Sequence, residues 1–201
     1  MPPARSTAGR SISDLSDPYV LPPDLPEPVD DGAADHLEGA KVPSLELPAT
    51  CGEEIDLAAA AARTLVVYCY PRTGRPGEPS PSGWNEIPGA RGCTPQSCAF
   101  RDHFAELEAL GASILGLSAQ PLADQIEFAR RVGLPYPVLS DASLELAETL
   151  RLPTFEVAGM RLYRRLTLIA RHGEIVKVFY PVFPPDRNAA DVVHWLSEHR
   201  L

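Results

Sequence analysis

The chain has 201 residues, 44% of them hydrophobic and 22% charged, with a formal net charge of −9. That length suits one domain with an extension. So acidic a chain does not steer itself to nucleic acid or to an anionic membrane, and no apolar run approaches the roughly 20 residues of a membrane span. The first residues, "MPPARSTAGRSISDL", lack the apolar core of a secretory signal. The expectation is a soluble, cytoplasmic protein with neither nucleic-acid nor membrane partners.

Residues 1–37 are rich in Pro, Ser and Asp and read as an extended or disordered arm, with Tyr19, Val20 and Leu21 as its few buryable side chains. Residues 38–201 read as the folded domain. "VPSLELP" is a short strand, and "TLVVYCYP" a buried strand stopped by Pro71. Residues 72–92 are dominated by Gly, Pro and Ser and form a loop, long enough to suggest a function.

The next stretch, "TPQSCAFRDHFAELEALG", predicts one helix with Thr94 as N-cap, Pro95 in the first position and Gly111 as the stop. "SILGLSA" follows as a buried strand. "LADQIEFARRVG" is an amphipathic helix with Leu122, Ile126 and Ala129 on its apolar face. "YPVLSD" is a short strand and "ASLELAETL" a short helix. "RLTLIAR" and "IVKVFYP" form a hairpin around Gly173, and "NAADVVHWLSEHRL" is a terminal helix. This order predicts an α/β, thioredoxin-like fold: a central mixed sheet flanked by helices on both faces.

Cys93 and Cys98 stand in a C-x4-C spacing. Zinc sites usually use C-x2-C or C-x2-4-C pairs, twice over, and general disulfide oxidoreductases use C-x-x-C; a single C-x4-C pair is neither. Cys93 falls at the predicted helix start, where free N–H groups and the helix dipole favour an anion, and Arg91 adds positive charge nearby. Cys93 is therefore the candidate attacking thiol and Cys98 the candidate resolver. Two inert buried cysteines, or a metal pair extended by His103, are the alternatives; no fourth ligand is visible, and a solvated helix face accounts for His103. Cys69 reads as a core residue. Cys51 reads as a bystander in a turn, or a redox-sensitive thiol. Trp84 and Ile87 in the 72–92 loop suggest a lid, a dimer contact or a loop anchored by Trp84.

The segment "GCTPQSCAFRD" resembles the active-site motif of peroxiredoxins, in particular the bacterioferritin-comigratory or Q-type group. The resemblance extends through "YCYP", "ILGLSAQPLADQIEFARRVGLPYPVLSD" and "RRLTLIARHGEIVKVF" and covers about residues 39–201. It implies that Cys93 is the peroxidatic cysteine, oxidised to a sulfenic acid, and that Cys98 resolves it as a Cys93–Cys98 disulfide. It implies that Arg165 stabilises the transition state, with Gly92, Thr94 and Arg165 around the substrate and Arg164 exposed on the other strand face. It further implies hydrogen peroxide or small organic hydroperoxides as substrate, and thioredoxin or a similar dithiol protein as reductant. The chain is expected to be a monomer or weak homodimer, with no cofactor and no metal. A peroxide-sensing switch with slow turnover is the alternative from another class.

One departure stands out. The family carries a hydroxyl three residues before the peroxidatic cysteine and a proline seven before it. Here Ala90 takes the first place, and Pro71 lies 22 residues before Cys93 (93 − 71), so about fifteen residues are inserted. Thr73, Ser80, Ser82 and Thr94 are the candidate replacement donors.

Overall fold

The computed structural model describes residue 19 and residues 21–200. The remainder of the expected arm, Val20 included, and Leu201 lie outside the described residues.

The strand Thr64–Cys69 (β3) is buried along its whole length, because it has a neighbour on each side and helices on both faces. Its alternating side chains divide the core. Leu65, Val67 and Cys69 enter one apolar cluster and Val66 and Tyr68 the other. Ala112–Ser118 (β4) runs parallel to β3, with Thr64 opposite Ala112 and Cys69 opposite Leu117. Val138–Ser140 (β5) is parallel to β4. On the other side, Leu166–Arg171 (β8) is antiparallel to β3 and pairs with the edge strand Glu174–Phe179 (β9). The order β5-β4-β3-β8-β9 is a mixed five-stranded sheet, and the expected thioredoxin-like α/β fold is present.

One face is covered by Cys93–Asp102 (α2), Phe104–Ala109 (α3), Leu122–Val132 (α4) and Asn188–Glu198 (α6). Phe100, Leu107, Phe128 and Leu196 are fully or almost fully buried there. The other face is covered by Leu57–Ala60 (α1) and Glu145–Leu150 (α5), together with the hairpin of Glu46–Pro48 (β1) and Glu54–Asp56 (β2). Ala34 and Leu37 join this core as well, so the chain is packed from that point onward.

Several local expectations are corrected. The helix expected as one unit is two, broken at His103 (φ −93°, ψ 7°), whose N–H closes α2 on the Ala99 carbonyl at 3.0 Å. Phe100, Phe104 and Leu107 keep helical spacing across the break, so the pattern concealed it. The helix also starts two residues early. Gly92, not Thr94, is the N-cap, in a left-handed conformation with φ +99°. In α4 the fully buried positions are Gln125 and Phe128, with Val132 beside them, rather than Leu122, Ile126 and Ala129, because this face meets Tyr70. A second hairpin, Thr154–Val157 (β6) with Met160–Tyr163 (β7), was not anticipated. It turns through Ala158 and Gly159, both at positive φ, outside the central sheet.

Residues 72–92 form no strand and no α-helix, only a short 3-10 turn at Trp84–Glu86. Trp84 is 6% exposed and packs with Ala90, Val157 and Leu162, which anchors the insertion on the β6–β7 hairpin.

Candidate active site

The left-handed Gly92 lets the chain turn sharply into α2. A Cβ on Gly92 would lie 2.3 Å from Pro185 Cγ and 2.8 Å from Leu21 Cδ2, so only glycine fits both the φ and the space. Cys93 is thereby fixed as the first helical residue, at the positive end of a ten-residue helix, and is 3% exposed.

Arg165 sits between β7 and β8 and reaches under this helix start. Its Nη2 donates to Cys93 Sγ at 3.2 Å, and to the carbonyls of Gly89 at 3.2 Å, Ala90 at 3.3 Å and Arg91 at 3.0 Å. Its Nη1 donates to Gln96 Oε1. Gln96 in turn donates to Asn188 Oδ1 at 2.9 Å, which also accepts from Thr167 at 2.7 Å. Arg165, Gln96, Asn188 and Thr167 are all at least 97% buried. Among the described residues no carboxylate pairs with Arg165, and its Nε has no partner. A buried guanidinium facing only neutral acceptors and a sulfur is a costly arrangement. It is compensated when the sulfur, or an oxygen beside it, carries negative charge. The Cys93 thiol itself points to the Ala90 carbonyl at 3.6 Å.

A cavity of about 40 Å³ opens on Cys93, room for a group of two or three heavy atoms. The insertion forms much of its wall. Trp84, Ser80 and Ala90 line it with Gly92 and Thr94, and Arg72, Arg75 and Arg91 stand around it. Of the four candidate hydroxyl donors, Ser80 and Thr94 border this cavity. Thr73 is turned away, its hydroxyl and N–H both held by Gln120 Oε1 at 3.1 and 2.7 Å. Ser82 is not among the residues lining it. Arg91 is drawn to Asn85 at 3.4 Å. Arg75 is occupied by Asp124 at 3.3 Å.

Cys98 is half-buried inside α2, and burial pushes its thiol above the ordinary value. Cys69 is fully buried and its thiol is raised by the same cause, as fits a core residue. Cys51 is exposed in the turn between β1 and β2. All four cysteines are free. Arg164, expected to be exposed, is half-buried ahead of β8. Its N–H is held by the Pro153 carbonyl at 2.8 Å, and its side chain lines a cleft with Pro28 and Tyr180. His103 pairs with Glu106 at 3.0 Å on the surface.

Gln96, Asn188 and Thr167 were missed from the sequence. The one available signal was that all three are polar residues in segments that otherwise read as buried. Also unforeseen is a set of hydroxyls one turn further along α2. Tyr68 and Ser97 Oγ are 3.1 Å apart, Tyr68 and Tyr136 hydroxyls 3.1 Å apart, and Tyr136 donates to the Ser97 carbonyl at 2.9 Å.

The sheet order and the reactive helix following β3 define a thioredoxin-like protein with a cysteine presented at a helix start. The Redoxin family profile matches residues 37–193, and the chain belongs to that family, in its peroxiredoxin Q-like group. It is 26% identical over 160 residues to the chloroplastic peroxiredoxin Q of Suaeda salsa, covering 80% of this chain and 67% of that protein. The Arabidopsis thaliana chloroplastic peroxiredoxin Q is 24% identical over 160 residues, again 80% and 67%. The chain thus spans about two thirds of the length of these relatives. Among solved structures, peroxidoxin BcpB from Mycobacterium tuberculosis superposes with a TM-score of 0.67 at 26% identity, over 83% of this chain and 100% of that one. Peroxiredoxin Q of Xanthomonas campestris has the same fold, with a TM-score of 0.62 at 23% identity, over 89% and 99%. The relatives named chloroplastic leave the cytoplasmic expectation without support. No helix among the described residues is long and apolar enough to cross a membrane.

Proposed function

We propose that the chain is a thiol-dependent peroxidase in which Cys93 is the peroxidatic cysteine, Cys98 the resolving cysteine and Arg165 the electrostatic partner of the reaction. The observation that carries this reading is the buried Arg165 guanidinium, without a carboxylate partner, donating to Cys93 Sγ at 3.2 Å.

The Cys93 thiolate attacks one oxygen of the peroxide. The S–O bond forms as the O–O bond breaks, giving Cys93–SOH and an alkoxide or hydroxide that takes up a proton. Charge develops on the departing oxygen, and Arg165 Nη2 and the free N–H groups at the start of α2 are fixed donors beside it. Gln96 and Asn188 hold the guanidinium in place. Thr94 and Ser80 border the cavity and stand in for the hydroxyl that Ala90 lacks. The Cys98 thiolate then attacks the sulfur of Cys93–SOH, expelling hydroxide and forming the Cys93–Cys98 disulfide. A dithiol protein such as thioredoxin reduces that disulfide by exchange.

The test is a steady-state assay of hydrogen peroxide and an alkyl hydroperoxide with reduced thioredoxin. Many turnovers per chain are expected. A single stoichiometric oxidation would instead favour a peroxide sensor, a reading to which Ala90 at the hydroxyl position lends weight.

A further inference from the structure

Helix α2 is pinned in its middle by a polar ring that the peroxide chemistry does not use. The hydroxyls of Ser97, Tyr68 and Tyr136 and the carbonyl of Ser97 make three polar contacts of 2.9–3.1 Å, so the ring begins and ends on one residue. Tyr68 donates to Ser97 Oγ and Tyr136 donates to the Ser97 carbonyl, and the two phenol oxygens in contact close the ring. The ring is dry: Tyr68 and Ser97 are fully buried and Tyr136 is 5% exposed. Burial raises both phenols well above their ordinary range, so they stay neutral donors at any working pH. The fit is tight. Gly116 on β4 has no side chain because a Cβ there would lie 2.7 Å from the Tyr68 hydroxyl, and Phe100 stacks on the Tyr68 ring at 4.4 Å.

Ser97 is the residue immediately before Cys98. Five positions apart on one continuous helix, the Cα atoms of Cys93 and Cys98 are roughly 8.5–9 Å from each other, and a disulfide needs less than about 7 Å. Resolution therefore requires residues 94–98 to leave the helix. Ser97 cannot do so while its side chain and its carbonyl are both held.

We propose that this ring is a latch, with Tyr136 and Ser97 as positioning residues that set how often α2 opens. They thereby set how the Cys93 sulfenic acid divides between disulfide formation and a second oxidation to sulfinic acid. The second step consumes one more peroxide, which transfers an oxygen to the sulfenate sulfur and leaves as water or alcohol. A tight latch lengthens the life of the sulfenic acid and exposes it to that step. This inference rests on the resolving role proposed for Cys98.

Tyr136→Phe keeps the aromatic contacts with Tyr68 and Phe104 and deletes the bond to the Ser97 carbonyl and the contact with the Tyr68 hydroxyl. Loss of one or two buried hydrogen bonds shifts an opening equilibrium by about five- to thirtyfold. In the variant, the peroxide concentration at which half of Cys93 becomes sulfinic acid, read by intact-protein mass spectrometry, is expected to rise by that factor. Amide exchange across residues 93–102 of the reduced protein should quicken by a similar factor, while β8 and β9 keep parental rates. Ser97→Ala, which removes only the hydroxyl, should move both readings the same way by less, and it stands in if Tyr136→Phe does not fold. Unchanged exchange in α2 would overturn the latch, and so would faster exchange with an unchanged sulfinic-acid threshold. A parent protein that forms no Cys93–Cys98 disulfide would sink the underlying assignment of Cys98, a different failure from that of the ring.

Discussion

At the scale of single residues, the site depends on a cation that neutral groups alone surround. Arg165 reaches Cys93 Sγ, three carbonyls and Gln96. Arg165→Met removes the charge and the donors while filling much of the volume. The peroxide reaction is expected to slow by about ten- to a hundredfold, measured by rapid mixing under single-turnover conditions. An equal rate in parent and variant would move the electrostatic role to another group, Arg91 first. Cys93→Ser should leave no turnover, since serine offers no accessible anion near neutral pH. More than a few per cent of the parental rate would assign the nucleophile to another thiol. Gly92 is the third critical position. Gly92→Ala adds a left-handed strain of about 1–3 kcal/mol to a collision with Pro185 and Leu21. A loss of unfolding free energy below that range, from urea titration, would show that the helix start can yield. The meeting of Arg165 with Cys93 was legible because motif and order pair them. Gln96 and Asn188 were not: nothing in a sequence tells a polar residue satisfied across 92 positions from one facing water.

At the scale of elements, the roles proposed for Cys93 and Cys98 place two conflicting requirements on α2. Its folded start presents Cys93 to the anion-stabilising end of the helix, and its folded body keeps Cys98 out of reach. Oxidation to the disulfide should therefore lower helix content and quicken amide exchange over residues 93–102, with little change in β8 and β9. An oxidised structure bonded Cys93 to Cys98 with α2 intact would refute this. The half-buried Cys98 thiol adds a pH dependence. Burial raises it above the usual 9.0 in the closed helix, and opening returns it towards that value. A group raised in the closed state favours closure at pH below its open-state value and ceases to do so as pH climbs through the raised one. Disulfide formation should thus accelerate as pH rises towards and past 9, in rapid-quench measurements. A flat profile would mean that neither ionisation of Cys98 nor the opening coupled to it limits the step. The strands of the central sheet were legible because β-branched and aromatic runs bounded by Gly and Pro announce them. The β6–β7 hairpin was not. Its strands are four residues each, only partly buried, and its Ala158–Gly159 turn is not one of the dipeptides that mark hairpins from sequence.

At the scale of the whole molecule, the first described residues run across the side of the domain that holds the site. Leu21 packs on Gly92 and Pro28 on Gly89. Tyr19 accepts from Arg131 at 2.8 Å, Tyr180 donates to Asp31 at 2.9 Å, and Leu37 is fully buried in the core. Composition alone marks such a proline-rich stretch as extended, and it cannot show which apolar residues find a groove, because the groove is built by Pro185 and Gly92 from distant parts of the chain. Removing residues 1–30 keeps Ala34 and Leu37 and should leave the domain folded. The start of α2 should nevertheless become more open, seen as faster alkylation of Cys93 by iodoacetamide. Unchanged alkylation would make the segment a passive covering.

Trp84 gives the molecule an optical property. The chain has two tryptophans. Trp195 lies at the far end of α6, stacked with His199 at 4.3 Å and beneath Arg171. Trp84 lines the same cavity as Cys93 and is otherwise enclosed by apolar side chains. A change of charge or volume at that sulfur alters the cavity that one indole lines, while the other indole lies outside it. The inserted loop should thus make oxidation of the thiol readable as a change in emitted light, without a label.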